Sequence, residues 1–346
     1  MDNQLIAELL RDCLKYFFIS FAASALFAPI MIELLYRFNQ VRILKKTKLV
    51  SGESNELYMK IDHSEERNGT PNMGGILIWL IVPAIIAFTM DLSPLIRVFI
   101  IAFLLFGFWG FLDVFFTNTL RNNEKLRAMQ ESFEWRMGKL LLTIGLNVLV
   151  MILLKNTGLF GEISFGSFLT ISVSPIVIGI LSIISQFAIY TSELTDGIDG
   201  LLIGICMIMY SVFAIMLLVQ GQYLFIPVIA IILGTLAVDL YFNIPPARFW
   251  NGGPGAMPLG FALFFIALVT NNIIPYFFIA SVTWVIMFSS LLQIVSIRLF
   301  KKKIFKIAPL HHHFQAVGWP DYKVTMRFWL YTFVSSMLGL FISLVI

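Results

Sequence analysis

Long apolar runs separated by short polar loops make up most of the chain. Ten runs fall near residues 15–38, 73–91, 97–116, 137–155, 173–192, 199–219, 222–241, 255–270, 273–298 and 327–346. Several approach the ~20 residues that a helix needs to cross the hydrocarbon of a bilayer. The pattern predicts an all-α, polytopic membrane bundle of about ten transmembrane helices, in one domain covering 1–346. Ahead of the first run, Leu5, Ile6, Leu9, Leu10, Cys13 and Leu14 recur at helical spacing. That predicts an amphipathic helix lying in the interface before the first span. The Gly-, Thr- and Phe-rich stretch 156–172 predicts a small hairpin between the fourth and fifth runs.

Composition narrows the class. Of the 346 residues, 59% are hydrophobic and only 13% are charged, which excludes an ordinary soluble domain. Cys13 and Cys206 sit in apolar surroundings and read as small buried hydrophobes. No basic patch interleaved with aromatics suggests nucleic acid. The N-terminus lacks the basic start and cleavage site of a signal peptide. The net charge of +4 matters less than its placement. Of the 24 basic residues, all but Arg11, Lys15, Arg97 and Lys155 fall in one set of loops and adjoining helix ends. By the positive-inside rule that side is cytoplasmic. Both termini then face out, and every polar motif lies inside.

Five motifs carry candidate chemistry. The first cytoplasmic loop ends in Arg67-Asn68-Gly69-Thr70-Pro71-Asn72-Met73-Gly74-Gly75. Here Gly69 and the Thr-Pro step mark a turn, and the paired glycines let a helix approach another backbone. The third run ends Gly110-Phe111-Leu112-Asp113-Val114-Phe115-Phe116-Thr117. An acid at the membrane edge is costly and therefore a functional candidate, although a helix end reaching water would also hold one. Ser192-Glu193-Leu194-Thr195-Asp196-Gly197-Ile198-Asp199-Gly200 is the best acidic cluster. One helical turn would put Asp196 and Asp199 on one face; the plain alternative is a capped helix start. Residues 239–255, DLYFNIPPARFWNGGPG, form a loop rich in Pro and Gly. Last comes Ala308-Pro309-Leu310-His311-His312-His313-Phe314. Three consecutive positions cannot share one helical face, and in extended chain only His311 and His313 point the same way. The run reads as imidazoles presented to an anionic ligand rather than as one metal cage. The plain alternative is a basic juxtamembrane loop.

Together these motifs resemble the polyprenyl-phosphate N-acetylhexosamine-1-phosphate transferases. The histidine loop, with Gly318-Trp319 and Arg327-Phe328-Trp329, resembles the phospho-N-acetylmuramoyl-pentapeptide branch. The resemblance runs from Gly69 to Trp329 and implies a multi-pass protein of the bacterial inner (plasma) membrane. It implies transfer of phospho-N-acetylmuramoyl-pentapeptide from its UDP-linked form to a polyprenyl (undecaprenyl) phosphate, with release of UMP. The partners implied are the UDP-sugar pentapeptide, polyprenyl phosphate and the lipid bilayer, with a homodimer as an allowed assembly. Asp113, His311, His312 and His313 fall at catalytic positions. Arg67, Thr70, Asp196, Gly197, Asp199, Asn243, Trp250 and Gln293 fall at substrate-binding ones, with Trp250 replacing a Phe that stacks on the base.

The departures from the pattern concern acids and the Mg2+ that the resemblance implies. Val114 replaces the second acid of an Asp-Asp pair, and Thr117 replaces a Lys. Glycine stands at 253, where the family has its magnesium-binding Asp. Glu193 replaces an Asn and is a candidate relocated metal ligand, whereas Asp239 reads as incidental and turned away from the site. The alternative is therefore a catalytically degenerate relative that binds uridine nucleotide or lipid carrier without turnover. Restoring carboxylates at 253 and 114 is expected to raise turnover or create magnesium binding.

Overall fold

A computed structural model describes residues 3–41, 69–120, 124–165 and 169–345. Thirteen helices and one hairpin are present among them. In chain order the helices are α1 Asn3–Arg37, α2 Ile76–Thr89, α3 Pro94–Leu120, α4 Glu124–Glu131, α5 Phe133–Lys155, α6 Pro175–Thr195 and α7 Leu201–Val219. They continue as α8 Ile226–Asn243, α9 Gly253–Val269, α10 Ile273–Ile279, α11 Ser281–Phe300, α12 Leu310–Ala316 and α13 Asp321–Val345. Strands β1 Glu162–Phe165 and β2 Leu169–Ser172 pair antiparallel between α5 and α6, with Ile163 opposite Ile171. This is the hairpin expected from the Gly-, Thr- and Phe-rich stretch.

Eight of these helices are long and apolar enough to cross a membrane, and α2 and α9 are shorter apolar helices. Two expectations need correction. The N-terminal amphipathic stretch is not a separate interfacial helix, because it continues into the first span as α1, without a break at Pro29. The ninth apolar run is two helices, α10 and α11, which meet at Ala280.

Local chemistry sets several starts. Ser132 caps α5 by accepting the Trp135 amide, and Ser174 caps α6 by accepting that of Val177, with Pro175 in the first turn. Each exchanges an orphan donor at a helix start for a hydrogen bond worth about 1 kcal/mol.

Helix α9 is the axis of the bundle. Every residue from Gly253 to Leu268 is buried. It packs on α3 and α6, and α2 closes over its start. Small residues permit this, as is usual where lipid removes the hydrophobic drive between helices. Gly75 meets the backbone of Gly255, and Gly110 meets that of Gly253. The paired Gly74-Gly75 therefore serves close approach, with Gly74 pressed on the Phe249 ring. Buried polar groups join α5 to α6: Asn147 donates to Gln186 at 3.1 Å and accepts from Ser185.

Candidate functional site

The motif-bearing ends of α3, α6, α8 and α11 and the starts of α7, α9, α12 and α13 are drawn together by hydrogen bonds. After α6, Asp196 ends the helix and Gly200 opens α7 at φ +72°, a left-handed position that favours glycine. Asp196 and Asp199 are thus not on one helical turn. Both carboxylates still reach the same loop, residues 244–252. The Gly252 amide donates to Asp196 Oδ2 at 2.7 Å. Asp199 accepts from the Ala247 amide at 3.1 Å and from Trp250 Nε1 at 3.0 Å. Asn243 ties the turn to the loop, accepting from the Gly200 amide at 2.9 Å and donating to the Phe249 carbonyl at 2.8 Å.

The proposed substrate contacts are therefore bonded to one another. Trp250 is 8% exposed, so its ring is not the open base-stacking platform expected from the sequence. Helix α13 clasps the turn from outside: Thr325 Oγ1 donates to the Asp199 carbonyl and Trp329 Nε1 to the Gly200 carbonyl, each at 3.2 Å.

The three histidines lie in one short helix, α12, rather than in extended chain. His311 and His312 are buried neighbours, with ring centroids 4.3 Å apart. Both reach Gly197, where a Cβ would meet His311 Nε2 at 2.5 Å. His312 Nδ1 lies 2.6 Å from Gln315 Oε1, and Gln315 donates to Asp321. His313 turns away and accepts the Lys306 amide at 3.2 Å. The pairing expected for extended chain, His311 with His313, is replaced by His311 with His312. Burial, then the neighbouring His312, holds the His311 imidazole well below its usual pKa, so the ring sits neutral against the acid turn.

Other predicted residues have definite partners or places. Thr70 is half-buried beside Pro71, whose carbonyl accepts the Trp250 amide. Arg67 lies outside the described residues. Asn72 is bonded to Asn118, which also donates to Gln40. Gln293 lines a cavity beside the basic loop, and its amide binds the Phe305 carbonyl and the amides of Ile304 and Phe305, all at 3.0 Å. It holds the basic loop in place. Asp239 is wholly buried and accepts from Asn251 Nδ2 at 3.1 Å, so it is built into the loop rather than turned away.

Sequence reasoning missed two features. The first is a cavity of about 400 Å³ between α11 and the loop before α12. Apolar side chains line most of it, and Arg298, Lys303 and Lys306 supply charge. It touches Leu194, just before the acid turn, and Pro309, just before the histidines. The second is Lys139 on α5, whose ammonium lies 2.7 and 3.0 Å from the two carboxylate oxygens of Asp113. A lysine in the apolar run Met137-Gly138-Lys139-Leu140-Leu141 was the available signal, since a charge at a membrane edge needs a partner.

Magnesium does not fit these residues. The ion asks for several oxygen ligands in near-octahedral geometry. Both oxygens of Asp113 and of Asp199 already accept hydrogen bonds, and so does Oδ2 of Asp196. Gly253 has no carboxylate and no room for one, because a Cβ there would lie 2.7 Å from the Gly110 carbonyl oxygen. Glu193 is half-buried near Asp113 and Lys139. Among the described residues no three His, Cys, Asp or Glu side chains converge to hold an ion.

Fold and site define a polytopic helical membrane protein whose polar loops close one end of the bundle beside a basic, apolar-walled cavity. The family model for glycosyl transferase family 4 matches residues 96–271, and the chain belongs to that family. It is similar to phospho-N-acetylmuramoyl-pentapeptide-transferase of Staphylococcus aureus strain bovine RF122 / ET3-1, with 28% identity over 339 residues. That alignment covers 95% of this chain and 98% of the relative. The corresponding enzymes of strains JH9 and Newman match with the same identity and coverage. With its eight candidate spans, the chain is a multi-pass protein of the bacterial plasma membrane.

Proposed function

We propose that the chain transfers phospho-N-acetylmuramoyl-pentapeptide from its UDP-linked form to a polyprenyl phosphate, making the first lipid-linked peptidoglycan precursor. The observation that carries this reading is the cavity bounded by Leu194 and Pro309, which lie two positions ahead of Asp196 and His311. An apolar wall with Arg298, Lys303 and Lys306 suits a phosphate on a lipid chain. A phosphate monoester, with a second pKa of about 6, is largely dianionic at neutral pH. An oxygen of the lipid phosphate attacks the β-phosphorus of the UDP-sugar. The bond from that phosphorus to the bridging oxygen breaks, and UMP leaves with the electron pair. No general base is required, which agrees with Asp113 being paired to Lys139. Positioning and cationic side chains carry the catalysis.

The test is UMP release by purified protein given the UDP-sugar pentapeptide and polyprenyl phosphate. Release that depends on the lipid phosphate, and falls on Arg298→Ala, supports the reading. Nucleotide binding without release supports the alternative, a relative that holds its ligands without turnover. The tightly bonded Asp199–Trp250 cluster favours that second reading.

We also propose that α2 and α9 cross the membrane, giving ten spans in one domain with both termini outside. The basic loops and the site then face the cytoplasm. Single cysteines placed at Gly318 and Arg248 should label only from the cytoplasmic side. Labelling from outside intact cells would reverse this orientation.

A further inference from the structure

Of the three positions at which the family carries its acids, 114 and 253 lack a carboxylate here, yet the helices that bear them still meet. The backbones of Gly110 and Gly253 touch. Val114 lies near Gly252, 3.6 Å from where a Cβ would stand. Asp113 is the one acid left of the three, and Lys139 from α5 grips both its oxygens at 2.7 and 3.0 Å. This lysine comes from a different helix than the one replaced by Thr117. Its side chain is 31% exposed and that of Asp113 is 23% exposed, so the pair is open to a ligand. Glu193 is a further acid within electrostatic reach of the pair, and it in turn feels Asp196.

We propose that the Lys139 ammonium supplies at this junction the positive charge that a divalent metal supplies elsewhere in the family. The chain then holds its diphosphate substrate without a metal. This rests on the transferase reading and specifies how that site meets the diphosphate. A lysine ammonium is a compact charge with three donors. Two are engaged with Asp113, and the third is left for a phosphate oxygen. The remaining carboxylates fit this scheme, since Asp196 and Asp199 accept backbone and indole N–H groups and bind the loop rather than an ion.

The experiment is calorimetric titration of UDP, and of uridine as the phosphate-free control, into the purified full-length protein with either EDTA or magnesium. Wild type should bind UDP equally well in both. Lys139→Gln should weaken UDP roughly tenfold or more, as expected for loss of a charge-assisted contact, and leave uridine unchanged. Lys139→Arg should keep most of the UDP affinity. Asp113→Asn removes the acid that shares the ammonium and should tighten UDP.

A merely structural ion pair would instead make Lys139→Gln and Asp113→Asn shift UDP and uridine in the same direction, and that result would overturn the proposal. So would wild-type UDP binding that needs magnesium; if Glu193→Gln abolished it, Glu193 would be the metal ligand. If wild type bound neither uridine nor UDP under any condition, the transferase reading itself would fail, and the role of Lys139 with it.

Discussion

Gly253→Asp is expected to lower the unfolding temperature of the protein sharply and to create no magnesium site. On sequence grounds the same substitution reads as a repair. The structure reverses that reading, because an added Cβ would stand 2.7 Å from Gly110 O and 2.9 Å from Gly110 Cα. Both are backbone atoms of α3, so no side chain can rotate away. Forcing α3 and α9 apart at a packed crossing costs about 1–3 kcal/mol or more, before any carboxylate is buried. Val114→Asp is the control: that side chain is half-buried at the rim and should cost much less. Thermal unfolding in detergent, followed by magnesium titration, checks both. An undiminished unfolding temperature with a new magnesium-binding isotherm would show that the crossing can open.

Asp199→Ala should be nearly as damaging, and its effect should reach the nucleotide. The mutation leaves the Ala247 amide and the Trp250 indole N–H without their acceptor in a site only 4% exposed at Asp199. Each stranded donor costs about 1–3 kcal/mol. The loop 244–252 should loosen, and Trp250 should reach water. Tryptophan emission should shift to the red, and in the Trp250→Phe background this shift should vanish. Uridine and UMP binding should fall together, because the turn and loop that would hold them separate. Unchanged emission and unchanged binding would mean that Asp199 is not the bolt between turn and loop.

How much of this was legible in the sequence depends on where the deciding contact lies. Helices such as α7 and α8 could be read because apolar character persists through the whole run. The break at Ala280 could not, since the apolar run continues on both sides and no glycine or proline stands at it. Basic asymmetry pointed to the side on which the polar motifs gather. The histidine motif was legible, but its conformation was not. Burial against Gly197 selects a helical turn that pairs His311 with His312, and that surface comes from the turn between α6 and α7. Gln293 was read as a ligand contact; it lines the cavity, but that its amide also locks the loop beside it could not be read. The absent acid at 253 was plain from the motif. What opposes a side chain there, the Gly110 backbone, belongs to a helix far away in sequence. Lys139 gave only the weak signal of a charge in an apolar run, because its partner lies 26 residues upstream.

The hydrogen bonds from Thr325 and Trp329 to the acid turn have a consequence for biogenesis. Those residues lie 126 and 129 positions downstream of the carbonyls they hold. When α6 and α7 enter the bilayer, the turn between them has no clasp. It acquires one only after α8, α9 and the histidine helix have been made and α13 has inserted. Membrane insertion thus runs well ahead of assembly of this end of the bundle, and a nascent chain stopped before α13 would carry the acids without the two hydrogen bonds that clasp their turn.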